Sequence, residues 1–204
     1  LLQSSAASDV YKRQNNNFAI ECDVVLSKDH EVIVFHDYSL KRLCNLEDNV
    51  AEMNSNELRQ INLLDTKSKI PTLEEMFYQV DSRVPILIEI KSGFNPIIEE
   101  RLVELTRTYQ GEVAFQSFDQ KACEWFRDNA PYYNTGLIIS SNEIKKNTIQ
   151  ELNIDFIAVD INNIESVDVQ NIRKNNLPTF TWTINNDAVS YTHLQAHETS
   201  IDLV

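Results

Sequence analysis

Short runs rich in Val, Ile and Phe recur along this chain, and stretches with helical spacing stand between most of them. The runs are AIECDVVL, EVIVFHD, PILIEIKS, EVAFQSF, TGLIIS, DFIAVDI and TFTWTIN. Strand and helix periods that alternate in this way predict a mostly parallel sheet with helices packed on it. The runs are apolar at nearly every position, as strands covered on both faces must be. Seven runs are one short of a (β/α)₈ set, so the expected fold is α/β: an incomplete TIM-like barrel lacking its first strand and last helix. An open doubly wound sheet is the alternative, and it lacks the Gly-rich turn a nucleotide needs; the 204 residues include only three Gly.

Start and stop signals bound the helices between these runs. Thr72-Leu73-Glu74-Glu75 is a capping box, directly after Pro71 and ahead of Met76, Phe77 and Val80. Asn95 and Pro96 read as N-cap and first helical residue, leading into IIEERLVELTRTYQ with Gly111 as the stop. Ser117 and Asp119 can cap QKACEWFRDNA, which ends at Pro131. Further on, ESVDVQNIRKNN offers Val167, Val169 and Ile172 to a core before Pro178 ends it.

One connection differs in kind. Only Ser27-Lys28-Asp29-His30 separates ECDVVL from EVIVFHD. A parallel crossover needs a dozen or more residues, so these two runs must pair as an antiparallel hairpin over residues 20–37. A turn centred near Asp29 sets Asp23 opposite Phe35 and Cys22 opposite His36. The hairpin thus returns His36 to the neighbourhood of Glu21 and Asp23.

Glu21 and Asp23 are two apart on a strand, so their side chains share a face while Cys22 points to the other. Glu89 and Lys91 repeat this spacing at the end of ILIEIKS. A single E-x-D at a strand end often does no more than face solvent, and His36-Asp37 alone reads as a strand-terminal histidine held by its neighbour. Two such pairs ending apolar strands, with a histidine beside them, point instead to a shared ligand. Three converging carboxylates repel one another unless a cation sits among them, and an all-oxygen set favours a hard ion, Ca²⁺ or Mg²⁺, over Zn²⁺.

Charge narrows the partners. The chain carries 31 Asp+Glu against 18 Lys+Arg, a formal charge of −13. Such a surface repels phosphate backbones and anionic lipid, which argues against nucleic acid as a partner. No run of 18 apolar residues occurs, so no transmembrane segment is expected. Cys22, Cys44 and Cys123 are odd in number and irregularly spaced, which fits neither a disulfide framework nor a zinc ribbon and leans toward the cytoplasm. No oligomeric interface is legible.

The two ends stand apart from this pattern. LLQSSAASDVYKRQ (residues 1–14) and AVSYTHLQAHETSIDLV (188–204) continue neither period and resemble translated adapter or cloning sequence. They are set aside from fold reasoning, with His193 and His197, and the domain is expected over residues 15–187. The natural chain is expected to begin before Asn15 and to run beyond Asp187.

In order, ECDVVLSKDHEVIVFHD, IPTLEEM, ILIEIKS, VAFQSFD, DFIAVD and TWTIN resemble the glycerophosphodiester phosphodiesterase family, over about residues 18–186. That family is a metal-dependent TIM-like barrel among the phospholipase-C-like phosphodiesterases. The resemblance implies that Glu21, Asp23 and Glu89 are ligands to one divalent cation and that His36 is the second of two catalytic histidines. It implies that Lys91 steadies phosphate charge, that Trp182 walls the glycerol moiety, and that Gln116, with Ser117, supports the pocket edge. The family's opening His-Arg-Gly motif, with the first catalytic histidine, has no counterpart in residues 1–20, and His30 stands where the family commonly has Gly.

The function these features imply is hydrolysis of a small-molecule glycerophosphodiester to an alcohol and sn-glycerol 3-phosphate. Without the first histidine, this chain by itself is expected to be nearly inactive. Two other functions compete with it: a lysophospholipase-D-like phosphodiesterase, and a non-catalytic domain that binds a metal or phosphoester.

Overall fold

The four-residue connection folds back as its length requires. The computed structural model of the chain describes residues 19–64, 66–91, 93–140, 146–174, 176–182 and 199–200. In it β1 (Ile20–Leu26) pairs antiparallel with β2 (Val32–Val34), with Val24 opposite Val34, Val25 opposite Ile33 and Leu26 opposite Val32. His30 closes the turn in the left-handed region, at φ 62°. The Phe35 amide donates to the Asp23 carbonyl at 3.0 Å, so the ladder ends as the connection length predicts.

The chain divides into two compact units, Leu1–Ala114 and Phe115–Val204. In the first, β1 also pairs parallel with β3 (Ile86–Ile90), giving the order β2-β1-β3. The short helices α1 (Lys41–Cys44) and α2 (Ser55–Leu58) lie between β2 and α3 (Leu73–Val80). Under the hairpin, Val25, Ile33, Phe35, Leu40, Val50, Leu58, Leu63 and Ile70 form one buried apolar cluster. This cluster ties the segment that follows β2 onto the sheet.

The capping box forms as read: the Glu75 amide donates to Thr72 Oγ1 at 3.2 Å, and the Thr72 amide donates to Glu75 Oε2 at 3.0 Å. Asn95 caps α4 (Pro96–Thr106), with Pro96 at the first turn. That helix stops at Thr106 and does not run on to Gly111. The Arg107, Thr108 and Tyr109 amides turn back onto Val103, Leu105 and Thr106, and the Tyr109 ring stacks on Phe77 at 4.2 Å. Gly111 has no positive φ; a Cβ there would come within 2.5 Å of the Tyr109 ring.

The second unit carries β4 (Val113–Ser117, which begins in the first), α5 (Gln120–Asn129), β5 (Asn134–Ile139), α6 (Lys146–Leu152), β6 (Phe156–Asp160), α7 (Val167–Arg173) and β7 (Thr179–Trp182). The strands β5, β6 and β7 run parallel side by side. Asp119 is the N-cap of α5, accepting from the Lys121 amide at 2.9 Å, and Ser117 Oγ accepts from the Asp119 amide at 3.1 Å. Cys123, Leu137, Ile139, Ile149, Leu152, Ile157, Val159, Val169 and Ile172 belong to its buried cluster. Val167 does not: as the first residue of α7 it is 75% exposed.

Two residues of the segment set aside by sequence, β8 (Thr199–Ser200), pair parallel with β7. Residues 1–14, the remainder of 188–204, and His193 and His197 lie outside the described residues. Among the described residues no helix is long and apolar enough to cross a membrane.

Candidate active site

In the β1–β3 register Asp23 stands beside Glu89, and Glu21 beside Leu87. Side chains at paired positions of parallel strands share a face, so Glu21, Asp23 and Glu89 all project to one side. One carboxylate oxygen from each falls within 4.8 Å of the others. Cys22 points the other way and is buried as a small hydrophobe.

Lys91 enters this group from just past β3. Its Nζ lies 2.8 Å from Glu89 Oε1 and 3.6 Å from Asp23 Oδ1. The position is electrostatically costly for acids. Burial, then the charges of Asp23 and Glu89, push the Glu21 carboxyl well above the ordinary carboxylate range, while Lys91 pulls it down. Burial and Asp23 push Glu89 up as well, again opposed by Lys91. Burial works against the Lys91 ammonium, and the charges of Glu89, Asp23 and Glu21 outweigh it. With all three acids ionised, one ammonium leaves an excess of two negative charges. That excess, on oxygen donors alone, fits one hard divalent cation.

His36 reaches the same group by a route the strand period does not contain. Were β2 to continue, His36 would share the face of Cys22. The chain bends at His36 instead, and His36 Nε2 comes 3.3 Å from Lys91 Nζ. Its other nitrogen, Nδ1, lies 2.6 Å from Asp37 Oδ1. Asp37 in turn accepts two bonds from Arg42 of α1, Nε to Oδ2 at 2.7 Å and Nη2 to Oδ1 at 2.8 Å. Burial raises the Asp37 carboxyl, but hydrogen bonds from Arg42 and His36 outweigh it and hold it below its ordinary value. Tyr38 Oη donates to the Lys91 carbonyl and ties this segment to the end of β3. Sequence reasoning paired His36 with Asp37 and missed Arg42. The signal was an Arg five residues beyond an Asp, a spacing neither helix nor strand period picks out.

The remaining two candidates stand in the second unit. Gln116, on β4, is buried, and its Oε1 has no hydrogen-bond partner. Trp182 ends β7; its ring meets Phe118 edge-on at 6.1 Å, and its Nε1 is buried without a partner. Both offer a polar atom with no hydrogen-bond partner among the described residues. Glu21, Asp23, Glu89, Lys91 and His36 are brought together in the first unit.

An α/β chain with a carboxylate cluster, a lysine and a histidine at strand ends has the make-up of a phosphoester hydrolase. Comparison with known proteins gives the family. Residues 18–201 match the family model described as the glycerophosphoryl diester phosphodiesterase family, and the chain belongs to that family. It is 28% identical over 180 residues to a glycerophosphodiester phosphodiesterase of Caldanaerobacter subterraneus, covering 81% of this chain and 73% of that one. Among solved structures it resembles a glycerophosphodiester phosphodiesterase of Thermotoga maritima, with a TM-score of 0.74 and 25% identity, over 92% of this chain and 81% of that one. It also resembles an Oleispira antarctica phosphodiesterase solved with its product sn-glycerol 3-phosphate, with a TM-score of 0.84 and 17% identity, over 96% of this chain and 85% of that one. The α/β fold matches these barrel enzymes with its sheet left unclosed among the described residues, consistent with the incomplete barrel expected from the sequence, and the family is one of hydrolases.

Proposed function

We propose that this chain cleaves a glycerophosphodiester to an alcohol and sn-glycerol 3-phosphate, at the group formed by Glu21, Asp23, Glu89, Lys91 and His36. The observation that carries this reading is the convergence of three carboxylates within 4.8 Å, with Lys91 Nζ in contact with two of them. Glu21, Asp23 and Glu89 would hold one Ca²⁺ or Mg²⁺, which when bound supplies positive charge to the phosphate oxygens.

The protein's own groups divide the remaining work. Lys91, on the same face, offsets negative charge that gathers on the phosphate in the transition state. His36, with Nε2 toward Lys91, gives a proton to the departing alcohol oxygen as the P–O bond to it breaks. An incoming oxygen, of water or of the glycerol 2-hydroxyl with water following, bonds to phosphorus and loses its proton to solvent. Trp182 is assigned to the wall beside the glycerol moiety and Gln116 to the pocket edge. The free cysteines Cys22, Cys44 and Cys123 support a reducing, cytoplasmic setting.

With His36 serving as acid, no second histidine stands beside the cluster among the described residues to act as base. Turnover by this 204-residue chain is therefore proposed to fall about 10²–10⁴-fold below that of a two-histidine site. The test is an assay of alcohol and sn-glycerol 3-phosphate released from glycerophosphocholine. Release should be slow, should require Ca²⁺ or Mg²⁺, and should be lost in Glu89→Gln. Release that survives both chelation and Glu89→Gln, or that yields glycerol and phosphocholine instead, would contradict the proposal.

A further inference from the structure

We infer that Asp37 and Arg42 are positioning residues for His36, a two-residue clamp that fixes which nitrogen faces the substrate and where. The inference rests on the function proposed for His36 above. A carboxylate only accepts hydrogen bonds, so the 2.6 Å contact of His36 Nδ1 with Asp37 Oδ1 puts a hydrogen on Nδ1. Nε2 is then the nitrogen left to exchange a proton, and it is the one turned toward Lys91.

An aspartate next in sequence to its histidine is poorly placed to do this unaided. Neighbouring residues of an extended chain point to opposite faces. The bend at His36 brings the two side chains together, and something must hold Asp37 in that arrangement. Arg42 does so with a two-pronged contact that fixes the plane of the carboxylate as well as its position, at 2.7 and 2.8 Å. The segment between them is itself held: the Leu40 amide donates to the Asp48 carbonyl, the Val50 amide to the Tyr38 carbonyl, and Leu40 is fully buried in the apolar cluster under the hairpin. The Arg42 side chain is 55% exposed, whereas that of Asp37 is only 20% exposed, so the clamp reaches in from the surface to an anchored acid.

During the reaction Asp37 keeps its hydrogen bond to Nδ1–H and gains no proton. The proton that moves goes from His36 Nε2 to the leaving oxygen as the P–O bond breaks. Losing Asp37 leaves the ring free to rotate and to hold its hydrogen on either nitrogen. Losing Arg42 leaves Asp37 free to turn away.

The test compares wild type with Asp37→Asn, Asp37→Ala, Arg42→Ala and Arg42→Lys, with ¹⁵N-histidine labelling to read the imidazole of His36. The His36 signal is assigned by its loss in His36→Asn. Wild type should keep a hydrogen on His36 Nδ1 throughout, so that the acid, on giving up its Nε2 proton, is left in the Nδ1–H form and not the Nε2–H form. Asp37→Ala and Asp37→Asn should show a mixture of the two forms, and kcat should drop about 10²-fold with KM little changed. Arg42→Ala should behave in the same direction and Arg42→Lys should recover part of the loss. Cation binding, measured by calorimetry with Ca²⁺, should be the same in all, which separates positioning from collapse of the site. If His36 keeps its hydrogen on Nδ1 in Asp37→Ala, the clamp is overturned. It is equally overturned if the variants raise KM and leave kcat alone. Should wild type show the Nδ1–H form, lost in the variants, but hydrolyse no glycerophosphodiester, the positioning stands and the proposed function falls.

Discussion

Asp23 and Glu89 are direct neighbours across two parallel strands, paired in register, although 65 residues of sequence separate them. Their side chains share a face with Glu21, and Lys91 stands in ion-pair contact with both of them. A site built this way is unfavourable without a further positive charge, and its variants should show it.

Glu21→Gln removes one charge from a position where burial and two acidic neighbours already oppose it. The cation-free protein should gain about 1 kcal/mol, some 2–4 °C in Tm, while losing cation binding. The pH dependence has a definite sign. A carboxyl whose folded value is raised above its ordinary 4.5 destabilises the fold at higher pH, and that penalty is relieved as pH falls through the raised value. Cation-free wild type should thus gain stability on mild acidification from neutral pH, and Glu21→Gln should gain less. Thermal melts across pH, with chelator present, check both.

Asp29 should act in the opposite direction. Burial raises its carboxyl, but hydrogen bonds from Ser27 and from the Ser55 amide and hydroxyl outweigh it and lower it from 3.8 to about 2. Its contribution is complete above the ordinary value and is lost as pH falls from there toward 2. Asp29→Asn should therefore be less stable than wild type at neutral pH, and the difference should close on acid titration. Denaturant melts at several pH values would show it.

His30 pays for the hairpin turn with a left-handed backbone, φ 62°. His30→Gly should stabilise the fold by about 1 kcal/mol, and His30→Val should destabilise it by more than that. Chemical denaturation of the two variants checks the sign.

Gly136 on β5 has no room for a side chain, since a Cβ would stand 2.0 Å from the Phe156 ring. That ring is buried and packs edge-on against Phe180 at 5.1 Å, so it has nowhere to move. Gly136→Ala should cost about 1–3 kcal/mol, read as a fall in the denaturation midpoint.

Much of the first unit was legible in the sequence because chain length left it few choices. Four residues between β1 and β2 can only make a hairpin, and the register followed from the turn, down to Asp23 opposite Phe35. The acid cluster was legible because residues two apart on a strand share a face. Thr72, Asn95 and Asp119 announced their helices through caps that are local chemistry. The rest depends on distant contacts. Helices α1 and α2 are four residues each, too short for any period, and are held by the cluster under the hairpin. The end of α4 was misplaced because Tyr109, stacked on Phe77, turns the chain before Gly111 is reached. The bend that re-aims His36, and the reach of Arg42 to Asp37, follow no repeat at all.

The central claim is that Glu21, Asp23 and Glu89 together hold one hard divalent cation. Calorimetric titration of the chelated protein with Ca²⁺ and with Mg²⁺ tests it most directly, on wild type and on Glu21→Gln, Asp23→Asn and Glu89→Gln. One cation per chain is expected, with each substitution weakening binding by about 10²-fold or more and raising the cation-free Tm or leaving it unchanged. Wild-type protein that is folded yet takes up neither ion, or binding that is indifferent to all three substitutions, would contradict the account.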